Sequence, residues 1–154
     1  MTDKVWDKDA ERAVIGAILI NEEEAWAEGV HTTVTPEDFF SDVYRAVYRA
    51  MLSLRAKHEP VTSITIASEL ELAGAREWMD KQVGPHLETV GALMTLANWT
   101  LASYGVIAHA RMVKGYADRR RLYQQAQEMV QRADSVPVAA APLYERSEYA
   151  GVDF

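Results

Sequence analysis

The chain has 154 residues, no cysteine, and 16 Lys and Arg against 23 Asp and Glu, a formal net charge of −7. That length holds one domain plus an appendage and buries about two-thirds of the surface that the unfolded chain would expose. The lack of cysteine excludes disulfides, thiolate metal sites and a cysteine nucleophile, and it fits a reducing, cytoplasmic setting. The acidic balance excludes a general nucleic-acid binder, because phosphate affinity comes mainly from Lys and Arg displacing counterions; any DNA contact is expected to be local, weak or indirect. Residues 1–9 mix charges of both signs instead of forming the apolar core of a secretory signal. The longest apolar run, residues 13–20, is far short of the roughly 20 residues that span a bilayer. A soluble protein with no membrane contact is expected.

In chain order, Ala10, Ala13, Val14, Ala17 and Ile18 recur at intervals of three and four, which predicts a helix with one buried face from Asp9 onward. Gly16 within it costs about 1 kcal/mol relative to Ala, which points to a close helix contact. Asn21 followed by Glu24 reads as an N-cap with its capping-box partner, for a short helix that holds Trp26 and stops near Gly29. Glu22, Glu23 and Glu24 sit where the helix dipole favours negative charge and need no catalytic role. Thr35-Pro36-Glu37-Asp38 combines a hydroxyl cap, a first-position proline and first-turn acids, so it predicts a helix start. That helix is expected to turn Phe40, Val43, Val47, Ala50, Met51 and Leu54 inward and Arg45, Arg49 and Arg55 to water. His58-Glu59-Pro60 ends it. Thr62 caps the next helix, with Ile66, Leu70 and Ala73 on one side and Gly74 as its stop. Residues 61–66 are rich in β-branched side chains, but the spacing favours helix over a short strand.

Residues 75–91 give little signal beyond a turn at Val83-Gly84-Pro85, after which Val90, Leu93, Met94 and Ala97 predict one more helix. The last, long helix begins between Trp99 and Val106 and runs to about Ala133. It carries two apolar seams: Val106, Ala110, Val113 and Ala117 on one, and Met112, Tyr116, Tyr123, Ala126, Val130 and Ala133 on the other. One neighbour needs one seam. The second implies a hairpin partner or another subunit, with the spacing of helix-on-helix association. The same stretch holds Arg111, Lys114, Arg119, Arg120, Arg121 and Arg132 against Asp118 and Glu128, a basic arm on an acidic body. Such asymmetry suits docking to an acidic partner or to phosphates, or it is simply a solvated face. Pro137 and Pro142 bound a linker-like stretch before a short polar-aromatic tail. The organisation expected is a globular helical domain over 7–100, a long-helix arm over 101–134 and a tail over 135–154.

No Gly-x-x-x-x-Gly-Lys-Ser/Thr phosphate cradle and no dinucleotide fingerprint occurs. His31, His58, His86 and His109 are isolated, without the spacing that puts two ligands on one helical face. The serines lack a nucleophile-elbow context. These residues predict no catalytic site, no cofactor and no metal. Trp26, Tyr44, Tyr48, Trp78, Trp99, Tyr104, Tyr116 and Tyr123 are spaced for packing. Tyr116 and Tyr123 also interleave with the arginines at 119–121, which leaves base stacking as the alternative.

Four ordered segments resemble the amino-terminal domain of DnaB-type replicative DNA helicases: residues 9–19 (Asp9-Ala10-Glu11, then Val14 through Leu19), Pro36-Glu37-Asp38-Phe39-Phe40, residues 60–70, and Ala110-Arg111-Met112-Val113-Lys114 with its arginine-rich continuation. The resemblance runs from about residue 7 to about 133. Residues 75–95 depart from it, as does Thr100-Leu101-Ala102-Ser103-Tyr104-Gly105. It implies an all-α fold, a compact multi-helix globular domain followed by a long helix that forms one arm of a helical hairpin; Pro137 and Pro142 fall where the second arm would continue. It also implies a non-catalytic assembly and docking domain of DNA replication without the ATPase part, free-standing or a piece of a helicase. The implied partners are a second copy, as a dimer or higher homo-oligomer, and a replicative helicase, primase or helicase loader. Position places the candidate surface at Arg111, Met112, Tyr116, Arg119, Arg120, Arg121, Tyr123 and Val130; intramolecular pairing of Arg111 and some of the arginines at 119–121 with the acidic body is the equal alternative. The alternative is a small regulatory nucleic-acid-binding helical protein that uses the basic arm.

Overall fold

Asp7, Asn21, Ser41 and Thr62 each place a side-chain oxygen on the backbone amide three residues ahead, and each opens a helix. The computed structural model describes residues 4–84, 88–100 and 105–139. Within them lie α1 (Lys8–Ile20), α2 (Glu22–Ala27), α3 (Val30–Thr33), a 3-10 turn (Pro36–Asp38), α4 (Asp42–Ala56), α5 (Ser63–Leu72), α6 (Arg76–Val83), α7 (Thr89–Trp99) and α8 (Val106–Ser135), with no strand among the described residues. The chain divides into two compact units, Met1–Arg120 and Arg121–Phe154. Pro85, His86, Tyr104 and the tail 140–154, where the second hairpin arm would fall, lie outside the described residues.

In the first unit, α4 packs on α5 and α1, α1 also meets α2 and α7, and α5 meets α6 and α7. The core joins Val14, Ile15 and Ile18 of α1 to Val47, Tyr48, Met51 and Leu54 of α4, Ile66 and Leu70 of α5, and Val106, Ala110 and Val113 of α8. The first seam of the long helix is therefore buried as its period predicts, Ala117 included. The Tyr48 hydroxyl is fully buried and donates to the Val34 carbonyl at 3.0 Å, and burial raises its pKa.

Two helices end in the same way. After α5, Gly74 takes φ +73, its N–H donates to the Glu71 carbonyl, and the Ala75 N–H reaches back to Leu70. After α4, His58 takes the corresponding left-handed position at φ +56, with its N–H on Arg55 and the Glu59 N–H on Leu54. Both are Schellman closures, one with the usual glycine and one without. Gly16 has a different purpose: a Cβ built there would lie 1.8 Å from Thr100 Oγ1, so its bare backbone is what lets α1 and the end of α7 meet.

The structure corrects several expectations. The 3-10 turn does not run into α4; Phe39 and Ser41 are extended, and Ser41 provides a second cap. Phe39 consequently goes into the core, and Phe40, expected inside, is 44% exposed. Arg45 does not face open water but is half-buried and donates to the Phe39 carbonyl at 3.0 Å. Ala73 is exposed because it lies beyond the last helical residue, Leu72. On α1, Ala13 is only half-buried, whereas Ile15 is fully so; on α7, Met94 is exposed. Helix α6 had no signal because it has no side-chain cap and fully buries only Met79.

Candidate interaction surface

The surface is positioned by a group of buried polar contacts around the break before α4. Glu11 of α1 is 2% exposed, and its Oε1 accepts from the Phe40 amide at 2.5 Å and the Ser41 amide at 3.3 Å. These amides would otherwise be orphaned by the extended backbone. Asp38 is fully buried; it accepts from the Thr35 amide at 2.8 Å and has Lys114 Nζ of α8 at 3.6 Å. Arg120, also of α8 and half-buried, donates to the Val5 carbonyl at 2.7 Å and the Asp38 carbonyl at 2.5 Å, with its guanidinium over the Phe40 ring. Lys114 and Arg120 thus fix the register of residues 106–120 of α8 on the rest of the first unit.

Two measurements follow from this arrangement. Arg120→Ala leaves two carbonyls without their charged donor, and hydrogen bonds of that kind contribute about 1.5–3 kcal/mol. The variant should lose about 2–3 kcal/mol in urea unfolding, against a change within about 0.5 kcal/mol for Arg111→Ala on the exposed side. Burial raises the Glu11 pKa despite its amide donors. The folded state therefore holds this proton more tightly than the unfolded one. Its contribution is present below the unfolded value near about 4.3 and is lost as pH rises through the higher folded value. Glu11→Gln should accordingly gain stability relative to the parent chain over the window in which pH rises from the unfolded value through the raised folded one, as read from paired denaturant melts. An unchanged difference across that window would contradict the assignment.

The exposed side of α8 holds the remaining candidates. In the first unit, Arg111 and Met112 are exposed, and the half-buried Tyr116 ring has Lys4 Nζ at 5.5 Å and the Arg119 guanidinium at 5.3 Å from its centroid. Arg119 also donates to the Lys4 carbonyl at 3.0 Å. The Asp7 carboxylate raises the Lys4 pKa, so this cation stays charged. In the second unit, Arg121 is half-buried, and Tyr123 and Val130 are exposed. Leu122 and Met129, which sequence reading passed over, are exposed as well; their seven-residue separation was the available signal. Lys4 was not among the sequence candidates, and Lys114 was read only as part of the basic arm; the contacts of both depend on the fold. Among the described residues no cluster of three or more His, Asp or Glu could hold a metal ion, and no helix is long and apolar enough to cross a membrane.

A family model described as the DnaB-like helicase N terminal domain matches residues 4–115. The chain is 29% identical over 134 residues to the replicative DNA helicase DnaB of Geobacillus stearothermophilus, covering 84% of this chain and 27% of that protein. It is 28% identical over 137 residues to the replicative DNA helicase DnaC of Bacillus subtilis, covering 85% and 28%. It therefore spans about a quarter of the length of these relatives. The crystal structure of the N-terminal domain of DnaB helicase from Mycobacterium tuberculosis superposes with a TM-score of 0.74 at 27% identity, covering 94% of this chain and 93% of that one. A family match over most of the described body, together with that likeness in fold, places the chain in the DnaB-like helicase N-terminal domain family.

Proposed function

We propose that this domain is a non-catalytic assembly and docking element of DNA replication. It associates with a second copy through the second seam of α8 and offers the cation-rich side of that helix to a primase, a helicase loader or a replicative helicase. The observation that carries the reading is the apolar stripe of the second unit, where Leu122 is 65%, Tyr123 44%, Met129 62% and Val130 60% exposed. Exposed apolar side chains of this kind mark an association surface, and the seven-residue repeat of Leu122 with Met129 and of Tyr123 with Val130 suits another helix. Arg111, Met112, Tyr116 and Arg119 of the first unit, positioned by Arg120, are assigned to the partner contact, as is Arg121 of the second unit.

Light scattering on the full chain is expected to give a mass above one chain that persists in salt, and Val130→Glu should shift it to the monomer. Pull-down with the cognate helicase and primase tests the partner contact. A chain that is strictly monomeric and retains neither protein would overturn the proposal. The Tyr116 ring with two cations near it supports a second reading, single-stranded nucleic acid stacked on the arm. That binding would weaken steeply with ionic strength, unlike association through the apolar seam.

A further inference from the structure

Helices α1, α4, α6 and α7 leave a cavity of about 490 Å³ between them, on the body and apart from the α8 surface. Its size is that of a ligand site, and Val43, Val47, Met79, Leu93 and Leu96 make its wall apolar. Lys8 and Arg12, one turn apart on α1, also line it, with Tyr44 of α4. Elsewhere in this unit cations such as Arg45, Arg49, Lys57 and Arg76 are paired with carboxylates. Lys8 and Arg12 have no carboxylate partner among the described residues. The Arg12 guanidinium lies over the Trp99 ring at 3.6 Å, and its buried Nε has no acceptor. The Tyr44 hydroxyl likewise makes no hydrogen bond to the described residues, and burial raises its pKa, so it remains a donor. Asp80, on the neighbouring α6, is already engaged by Thr89 and Arg76. An ammonium, a guanidinium and a phenol therefore line an apolar hollow with no acceptor for them among the described residues, the Arg12 Nε being buried there and Lys8 exposed.

We propose that this cavity docks a short acidic and apolar segment of a partner protein, with large apolar side chains between Leu93, Leu96 and Met79 and a carboxylate on Arg12 and Lys8. A peptide suits the site better than a simple fatty acid. Lys8 and Arg12 carry two positive charges on α1 and Tyr44 adds a donor from α4, whereas a fatty acid brings a single negative charge; peptide carbonyls supply further acceptors. The proposal rests on the docking-domain reading but uses a different face of the molecule, so the two fail separately: Val130→Glu chain should still bind the segment.

The test uses the full chain, methyl-labelled, and a short acetylated and amidated peptide of Leu, Phe and Asp as probe. Saturable shifts are expected at Val47, Leu93, Leu96 and Met79, with a change in Trp99 emission. The same peptide with Asn in place of Asp should bind about tenfold more weakly or worse, as should the parent peptide to the chain carrying Lys8→Gln and Arg12→Gln. Leu96→Trp, which fills the hollow from a half-buried position, should abolish binding, and its melting curve verifies folding. Equal binding of the Asn peptide, or shifts confined to α8, would overturn the proposal. Displacement of the peptide by decanoate at lower concentration would also overturn it and give the site to a small anionic amphiphile.

Discussion

Replacement of Phe39 by alanine is expected to lower the unfolding free energy by about 3–5 kcal/mol, the range for a large aromatic removed from a packed core. Phe39 is 0% exposed, and its ring lies 5.0 Å from that of Tyr48. Tyr48 is itself held by the Val34 carbonyl, so the neighbouring core cannot readily collapse into the void. For a chain of this size the melting temperature should fall by roughly 10 °C. The same change at Phe40 removes a half-exposed ring that leans on Trp6 at 4.8 Å and on the Arg120 guanidinium, a loss of about 1 kcal/mol. Paired urea melts separate the two residues, and a larger loss at Phe40 would refute the placement of the break before α4.

Gly16→Ala is expected to destabilise the chain even though alanine is the better helix former by about 1 kcal/mol. Its Cβ would meet Thr100 Oγ1 at 1.8 Å and, less avoidably, Thr100 Cβ at 2.8 Å. Rotating the threonine relieves the first contact but not the second, so α1 and α7 must separate. Overpacking of that kind costs about 1–3 kcal/mol, and the added bulk of Gly16→Val should cost more. Combining Gly16→Ala with Thr100→Gly should recover part of the loss, which a double-mutant cycle reads as coupling between the two positions. A more stable Gly16→Ala chain would mean that the helices do not approach this closely.

The contrast between these two sites shows which kinds of information reside in the chain. Gly16 was legible because a glycine in the middle of an apolar helical repeat has a cost that only a close contact offsets. Its partner was not, because Thr100 lies in a stretch where the family resemblance lapses. Phe39 and Phe40 are adjacent and chemically identical, so periodicity extended backward from Val43 and Val47 chose the wrong one. The choice between them belongs to Glu11, whose carboxylate takes the Phe40 and Ser41 amides and holds the backbone extended. Of the candidate surface, the exposed Met112, Tyr123 and Val130 were readable from the second seam, whereas Leu122, Met129 and the anchoring contacts of Arg120 were not.

The sequence alone determined most of the helices and their starts, though not α3 or α6, together with the buried seam of α8 and the family, because caps and apolar repeats act within a turn or two and leave their pattern in neighbouring residues. The tertiary structure decided which phenylalanine is core, which arginine is anchor and that a donor-lined cavity stays open beside α1. Those outcomes depend on residues far apart in the chain, Glu11 with Phe40 or Arg120 with Val5, whose pairing no local spacing records.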